Sequence, residues 1–195
     1  MFRYILASAS PRRHELLKRV LPEFIITPVD ADESFDLSLP PDEVCIMLAC
    51  RKATACAEKI KAEADDIIIA ADTIVFKDGR YYGKPENADA AAVILQQLRG
   101  STHEVYTGVA VCRGKITLSG FEKTAVNFGA FSDEMINNYI ADKKPLDKAG
   151  AYGIQDIAGY CEVTHSGDYE NIMGLPLKLT KALIEEAIWC DKKNY

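Results

Sequence analysis

Apolar and polar residues alternate along the first third of the chain in a way that is typical of strands followed by helices. Short apolar runs predict strands over residues 4–7, 24–29 and 67–71, and helical periodicity predicts helices over 11–20 and 42–62 between them. Strands separated by helices form sheets whose faces the helices cover. The pattern therefore predicts an α/β fold with a largely buried sheet.

In the middle of the chain, strands follow one another directly. A hairpin is predicted over 73–82 around Asp78-Gly79, and a turn at 113–115 joins long strands over 104–112 and 116–128. Such neighbours pair antiparallel, so the predicted sheet is mixed. The other predicted helices cover 88–98, begin after the cap residue Ser132, and cover 177–190. No repeat or linker interrupts the pattern, and we expect a single domain over residues 1–195.

Composition excludes several classes of protein. The 195 residues are 48% hydrophobic and 27% charged, which is typical of a folded globular chain rather than a disordered or fibrous one. The net charge of −6 and the lack of an apolar stretch near membrane-spanning length lead us to expect no nucleic-acid or membrane partner. Six cysteines without a C-x-x-C pair, and no signal peptide, favour reduced thiols in a cytoplasmic protein.

The first segment with candidate chemistry follows the first predicted strand. Ser8 and Ser10 precede Pro11, Arg12 and Arg13, which open a predicted helix. Two arginines in the first turn oppose the helix dipole, and a bound phosphate would remove that conflict. The alternative is that both arginines face solvent or pair with carboxylates elsewhere.

Two further charged residues stand out against apolar surroundings. Asp72 directly follows the apolar run 67–71, and ligands of open α/β sheets gather at the carboxyl ends of strands. There it could hold a metal ion or take a proton from water, unless it only shapes a turn. Lys52 shares a helix face with Leu48 and Cys56, so it needs a partner or a pocket, unless its long side chain carries the ammonium group out to solvent.

Two glycine-containing or proline-containing loops each present a lysine. Residues 82–85 carry Lys84, and residues 147–155 carry Lys148 and end at Gln155, whose amide can pair with the edge of a base. Tight turns explain the glycines equally well. Neither loop matches a Walker A or G-x-G-x-x-G motif, and the three histidines lack the spacing of metal ligands.

Taken together, these segments resemble the Maf family of nucleoside triphosphate pyrophosphatases. The segments are residues 6–13, Glu33, 52–53, 71–73, 83–85, 124–128, 147–155 and 171–176. The resemblance implies a central mixed sheet flanked by helices, with two lobes around a cleft as in the inosine triphosphate pyrophosphatases. It also implies hydrolysis of a nucleoside triphosphate to the monophosphate and pyrophosphate.

The resemblance also implies a role for each site residue. The implied catalytic residues are Asp72, Lys52, Lys84 and Glu33, and the implied substrate-binding residues are Ser8, Ser10, Arg12, Arg13, Thr73, Lys148 and Gln155. Glu33 and Asp72 would hold Mg²⁺, Mn²⁺ or another divalent cation. A homodimer is expected, because dimers are common in the family.

The resemblance also implies the preferred nucleotide. Residues 11–13 and 153–155 resemble the branch that acts on dTTP and UTP, whereas the branch that acts on 7-methyl-GTP tends to carry Glu where this chain has Gln155. An amide suits the donor and acceptors of a uracil or thymine edge, and by rotating it could also accept CTP. Two alternatives stay open. One is a pyrophosphatase for noncanonical purine triphosphates or 7-methyl-GTP, and the other is a non-catalytic, nucleotide-responsive inhibitor of septum formation.

Overall fold

The computed structural model describes residues 2–190 of the chain, which form one mixed β-sheet and seven α-helices. The strands are β1 (Arg3–Leu6), β2 (Ile25–Ile26), β3 (Asp66–Lys77), β4 (Arg80–Tyr82), β5 (Thr102–Arg113), β6 (Ile116–Phe128) and β7 (Val163–Ser166). The helices are α1 (Pro11–Lys18), α2 (Pro41–Ile60), α3 (Ala88–Leu98), α4 (Asp133–Lys143), α5 (Ile154–Ile157), α6 (Tyr169–Ile172) and α7 (Leu177–Trp189). The 3-10 turns Pro145–Asp147 and Ala149–Ala151 precede α5.

The strands lie in the order β2-β1-β3-β5-β6-β7, and β4 pairs with the distal half of β3. β1 pairs parallel to both β2 and β3, while every other pair is antiparallel. The sheet is therefore mixed and flanked by helices, which confirms the predicted fold class. The described helices do not include one that is both long and apolar enough to cross a membrane.

Alternation along β3 builds the two faces of the sheet. Ile67 and Ile69 face the larger core, to which α1, α3, α4 and α7 contribute. Ile68 and Ala70 face the opposite side, where α2 covers the sheet. Because both faces are covered, the strand reads as a continuous apolar run rather than as an alternating one.

Helix α2 lies unusually close to β5. At Gly108 a Cβ atom would stand 2.2 Å from the backbone oxygen of Cys45, so only glycine permits this approach. The contact fixes the height of α2 above the sheet. It therefore also fixes the position of every side chain that α2 directs toward the edge of the sheet.

Most predicted elements are confirmed to within two or three residues, and α3 and β6 have the predicted bounds. The strand predicted over 24–29 is wrong in extent, since only Ile25 and Ile26 pair, on an exposed sheet edge. The run 67–71 does not end a strand, because β5 continues to pair with β3 as far as Phe76. The hairpin around Asp78-Gly79 is confirmed, and both residues have positive φ. β7, α5 and α6 lie in segments for which no element was predicted.

Candidate active site

A cleft of about 500 Å³ opens beyond the carboxyl end of β1, and this volume is in the range of small-ligand sites. Ten of the eleven predicted site residues line it: Ser8, Ser10, Arg12, Arg13, Glu33, Lys52, Asp72, Thr73, Lys84 and Lys148. Gln155 is the exception. The structure thus brings together residues that are spread over more than 140 positions of the sequence.

The cleft is cationic although the chain as a whole is acidic. Its lining includes five positive side chains, Arg12, Arg13, Lys52, Lys84 and Lys148, against the carboxylates Glu33, Asp72 and Asp147. The chain carries a net charge of −6. A local excess of cations in a concave site attracts a polyanion, and a triphosphate has the required charge.

Lys52 is the centre of the charged group. Its Nζ donates to Asp72 Oδ1 and lies 2.7 Å from Glu33 Oε1, while Lys84 Nζ lies 3.1 Å from Glu33 Oε2. The Lys52 side chain is only 13% exposed, so the structure favours the pocket with partners over an ammonium group extended to solvent. Burial alone would raise the pKa of the Glu33 carboxyl, but the hydrogen bonds and charges of Lys52 and Lys84 lower it.

Asp72 occupies a rigid position inside β3, where it is paired with Gly108 of β5 and is only 7% exposed. The expectation that it ends a strand is wrong, because β3 continues through the site to Lys77. β1, the parallel neighbour of β3, ends at Leu6 opposite Ile69, so Asp72 still lies beyond the end of that strand. Pairing with β5 in the middle of this long strand leaves the backbone of Asp72 little freedom to move.

The α1 end of the cleft is built around Arg13. Its Nε donates to the backbone oxygen of Gly174 at 2.8 Å, and its Nη2 donates to Thr73 Oγ1 at 3.1 Å. Burial lowers the pKa of Arg13, with a smaller contribution from Arg12. Within residues 2–190 neither arginine forms an ion pair with a carboxylate, so the arrangement favours a bound anion over the alternative of pairing elsewhere. Ser10 occupies the N-cap position, but its side chain makes no capping bond.

A buried polar network behind Arg13 was not predicted. Thr73 Oγ1 lies 2.9 Å from Thr107 Oγ1, and Thr107 donates to the backbone oxygen of Asn171. The fully buried Asn171 donates in turn to the Val105 carbonyl and to Thr124 Oγ1. The sequence signals it only through the family resemblance, whose segments 71–73, 124–128 and 171–176 contain Thr73, Thr124 and Asn171, whereas nothing in the sequence marks Thr107.

Gln155 lies outside the cleft. It is exposed, and its Nε2 is 3.6 Å from the sulfur of Met173, which does line the cleft. The rest of this wall includes Tyr152, whose hydroxyl lies 2.8 Å from Nε2 of the buried His103. Burial, with a smaller effect of the Lys77 charge, lowers the pKa of His103 to about 4, so this imidazole is neutral.

Two carboxylates are available for a divalent cation. Glu33 and Asp72 both contact Lys52 Nζ, so their oxygens lie close together, and among residues 2–190 no group of three or more acidic, histidine or cysteine side chains is arranged for a metal. Mg²⁺ typically takes one or two carboxylates and completes its octahedron with phosphate oxygens and water. The donor set therefore fits a magnesium ion that is shared with a phosphorylated substrate.

Comparison with known proteins finds one matching family and several relatives. The family model described as "Maf-like protein" matches residues 3–187. A dTTP/UTP pyrophosphatase of Bacillus cereus strain B4264 is 43% identical over 177 residues, which cover 91% of this chain and 91% of that protein. A dTTP/UTP pyrophosphatase of Bacillus cytotoxicus is 44% identical with the same coverage. The solved structure of the Staphylococcus aureus Ham1 protein aligns over 97% of this chain and 99% of that one, with a TM-score of 0.49 and 13% identity.

Proposed function

The chain belongs to the Maf family, and on that premise we propose that it hydrolyses dTTP and UTP to the nucleoside monophosphate and pyrophosphate. The observation that carries the proposal is the meeting of Glu33 and Asp72 at Lys52 Nζ, inside a cleft with an excess of cations. Phosphoryl transfer needs positive charge around the phosphates and a carboxylate that orients water. The cleft offers both.

The triphosphate would be held by the cations and by hydroxyl groups on three sides of the cleft. Arg12 and Arg13 supply planar guanidinium groups from α1, and Ser8, Ser10 and Thr73 supply hydroxyls beside them. From other sides, Lys52, Lys84 and Lys148 supply point charges. We expect these cations and hydroxyl groups, which come from several elements, to bind one triphosphate and to place its α phosphorus near Asp72.

Asp72 is the proposed base. One oxygen of its carboxylate accepts from Lys52, which leaves the other free to take a proton from water. The water oxygen forms a bond to the α phosphorus, the bond from that phosphorus to the α–β bridging oxygen breaks, and pyrophosphate leaves with the bridging oxygen. Lys52 holds Asp72 in place and, with Lys84, offsets the charge that develops on the phosphates.

Glu33 and Asp72 would also hold a divalent cation, Mg²⁺ or Mn²⁺. Once bound, such an ion neutralises phosphate charge and so assists the departure of pyrophosphate. Glu33 suits this role, because its carboxylate meets that of Asp72 at Lys52 Nζ.

Recognition of the nucleobase stays assigned to Gln155, which would now act from the rim of the cleft. Its amide contacts Met173, and Met173 lines the cleft, so Gln155 would meet a base at the rim rather than inside the cleft. An amide at the rim can pair with the donor and acceptor of a uracil or thymine edge. Its freedom to rotate there also makes weak discrimination against CTP expected.

The test is pyrophosphate release from a panel of triphosphates with Mg²⁺. We expect dTTP and UTP to be hydrolysed fastest, and inosine triphosphate and 7-methyl-GTP to be poor substrates. Faster hydrolysis of a purine triphosphate would overturn the proposed specificity. Nucleotide binding without any release of pyrophosphate would favour the alternative of a nucleotide-responsive inhibitor of septum formation.

We also propose that residues 1–195 act as one Maf-like domain in the cytoplasm and assemble as a homodimer. The single domain is supported by one sheet that contains all the described strands from β1 to β7. The cytoplasmic location is supported by free thiols at all six cysteines. One cooperative unfolding transition and a dimer mass by light scattering are the expected results.

A further inference from the structure

Glu33 is carried by a long connection that has no helix or strand of its own. Residues 27–40 link β2 to α2, and in this segment the chain crosses one side of the cleft. Connections of this length without regular structure are uncommon in compact domains and are frequently functional. The position of the Glu33 carboxylate therefore depends on the contacts that tie this segment to the rest of the fold.

Arg51 binds the backbone on both sides of Glu33. Its Nη1 donates to the backbone oxygen of Asp32 at 3.2 Å and to that of Ser34 at 2.5 Å, the two residues that flank Glu33. Between them, Asp32 Oδ1 accepts from the backbone N–H of Ser34 at 2.9 Å and closes a small turn. The backbone of this turn thus faces Arg51, and the Glu33 side chain is directed to the opposite side, into the cleft.

Consecutive residues of α2 therefore hold Glu33 in two ways. Lys52 binds its carboxylate from inside the cleft, while Arg51 binds the backbone on either side of it from outside. A guanidinium group suits this task, since it donates in a fixed plane and remains charged at every relevant pH. Neither contact alone determines both the place and the direction of the carboxylate.

We propose that Arg51 is a positioning residue for catalysis, which holds the Glu33 carboxylate beside Asp72, where the two would bind a divalent cation. Arg51 is not among the residues that line the cleft, so it acts through Glu33 and not on the nucleotide. The proposal rests on the proposed role of Glu33 as a metal ligand. Residues that hold metal ligands in place typically change metal affinity or activity by 10-fold to 100-fold when they are removed.

The chain offers a matched control for this proposal. Lys59, also on α2, donates to the backbone oxygen of Pro28 at 2.7 Å, so it ties down the same connection at a point farther from Glu33. Lys59→Met removes one cation and one hydrogen bond to the segment, and Arg51→Met removes one cation, two such hydrogen bonds and an ion pair with Asp32. Only Arg51→Met releases the turn that carries Glu33.

The experiment measures Mn²⁺ binding by calorimetry in the presence of a dTTP analogue with a non-hydrolysable α–β bridge, and then kcat and KM for dTTP. Arg51→Met is expected to weaken Mn²⁺ binding about tenfold and to lower kcat with little change in KM. Lys59→Met is expected to match the unmodified protein. Arg51→Gln, which cannot span both carbonyl groups, is measured beside them in case the Met variant folds poorly. Unchanged Mn²⁺ affinity in a folded Arg51 variant overturns the proposal.

A double-variant cycle separates positioning of Glu33 from a general structural role. In a Glu33→Gln background, Arg51→Met is expected to cause no further loss of Mn²⁺ affinity, because the carboxylate that it positions is already gone. A full additional tenfold loss would show that Arg51 acts elsewhere. If the unmodified protein releases no pyrophosphate but Arg51→Met still weakens Mn²⁺ binding, the positioning role stands and the proposed hydrolysis fails.

Discussion

Replacement of Asp72 by asparagine tests the proposed chemistry most directly. Asp72 is 7% exposed and its backbone is paired with Gly108 of β5, so its carboxylate has a fixed place in the cleft. Asparagine has nearly the same shape and keeps an oxygen that can accept from Lys52. The substitution therefore removes the charge and the proton acceptor, and leaves the local structure intact.

The size of the effect follows from the role. A positioned general base contributes about 10²-fold to 10⁴-fold to the rate, which corresponds to about 3 to 5 kcal/mol of barrier. We expect Asp72→Asn to lower kcat by that factor. KM for dTTP should change by less than about threefold, since Lys52 loses a competing carboxylate and the other cations of the cleft are untouched.

The assay is continuous detection of pyrophosphate at saturating Mg²⁺, with binding of a non-hydrolysable dTTP analogue measured separately. Asp147→Asn is the matched control, because this carboxylate also lines the cleft but is 69% exposed and, within residues 2–190, forms an ion pair with Lys148 alone. It should change kcat by less than about threefold. If Asp72→Asn keeps more than a tenth of the original kcat, the assignment of Asp72 as base or metal ligand is refuted.

Three further predictions concern other parts of the molecule. Gly108→Ala would force a Cβ to within 2.2 Å of the Cys45 backbone oxygen and should lower the free energy of unfolding by about 3 kcal/mol. Gly120→Ala is the control, because its Cβ would meet only a movable side chain. Equal urea midpoints for the two variants would contradict this prediction. His103, with its pKa lowered to about 4, stays unprotonated in the folded chain while the unfolded chain binds a proton below about pH 6.5. Acidification from about pH 7.5 to about pH 5 should therefore cost about 2 kcal/mol of stability, a loss that His103→Gln should avoid; identical losses would rule out this origin. Lys84→Met removes an exposed cation next to Glu33 and should raise KM for dTTP several-fold more than it lowers kcat, as initial rates over a range of dTTP will test. If both kcat and KM are unchanged, Lys84 is purely structural.

Local patterns in the sequence predict much of the candidate site. Lys52 was found because a lysine on an apolar helix face requires a partner, and the structure gives it two carboxylates. Arg12 and Arg13 were found because they oppose the dipole at the start of a helix, and both line the cleft. Such signals arise from a conflict between a side chain and its immediate surroundings, and a short stretch of sequence is enough to show them.

Other features depend on contacts between distant parts of the chain. Nothing near Thr107 distinguishes it from other strand threonines, and its partner Asn171 is 64 positions away. Asp72 was identified from an expected strand end, although pairing with β5 continues the strand through the site. Gln155 was expected inside the cleft, but the 3-10 turns and α5 that determine its position carry no periodicity that predicts them.

The hydrogen bond from Arg13 to Gly174 joins residues 161 positions apart, so it can form only late in the synthesis of the chain on the ribosome. A nascent chain that has exposed β1, α1, α2 and β3 already contains Arg13, Lys52 and Asp72, but the guanidinium group of Arg13 still lacks one of its two anchors. The phosphate end of the cleft is complete only after the turn at Gly174 has left the exit tunnel and docked. Pyrophosphate release by ribosome-bound chains of increasing length would therefore begin abruptly beyond that point, and catalytic activity would report the end of folding rather than its progress.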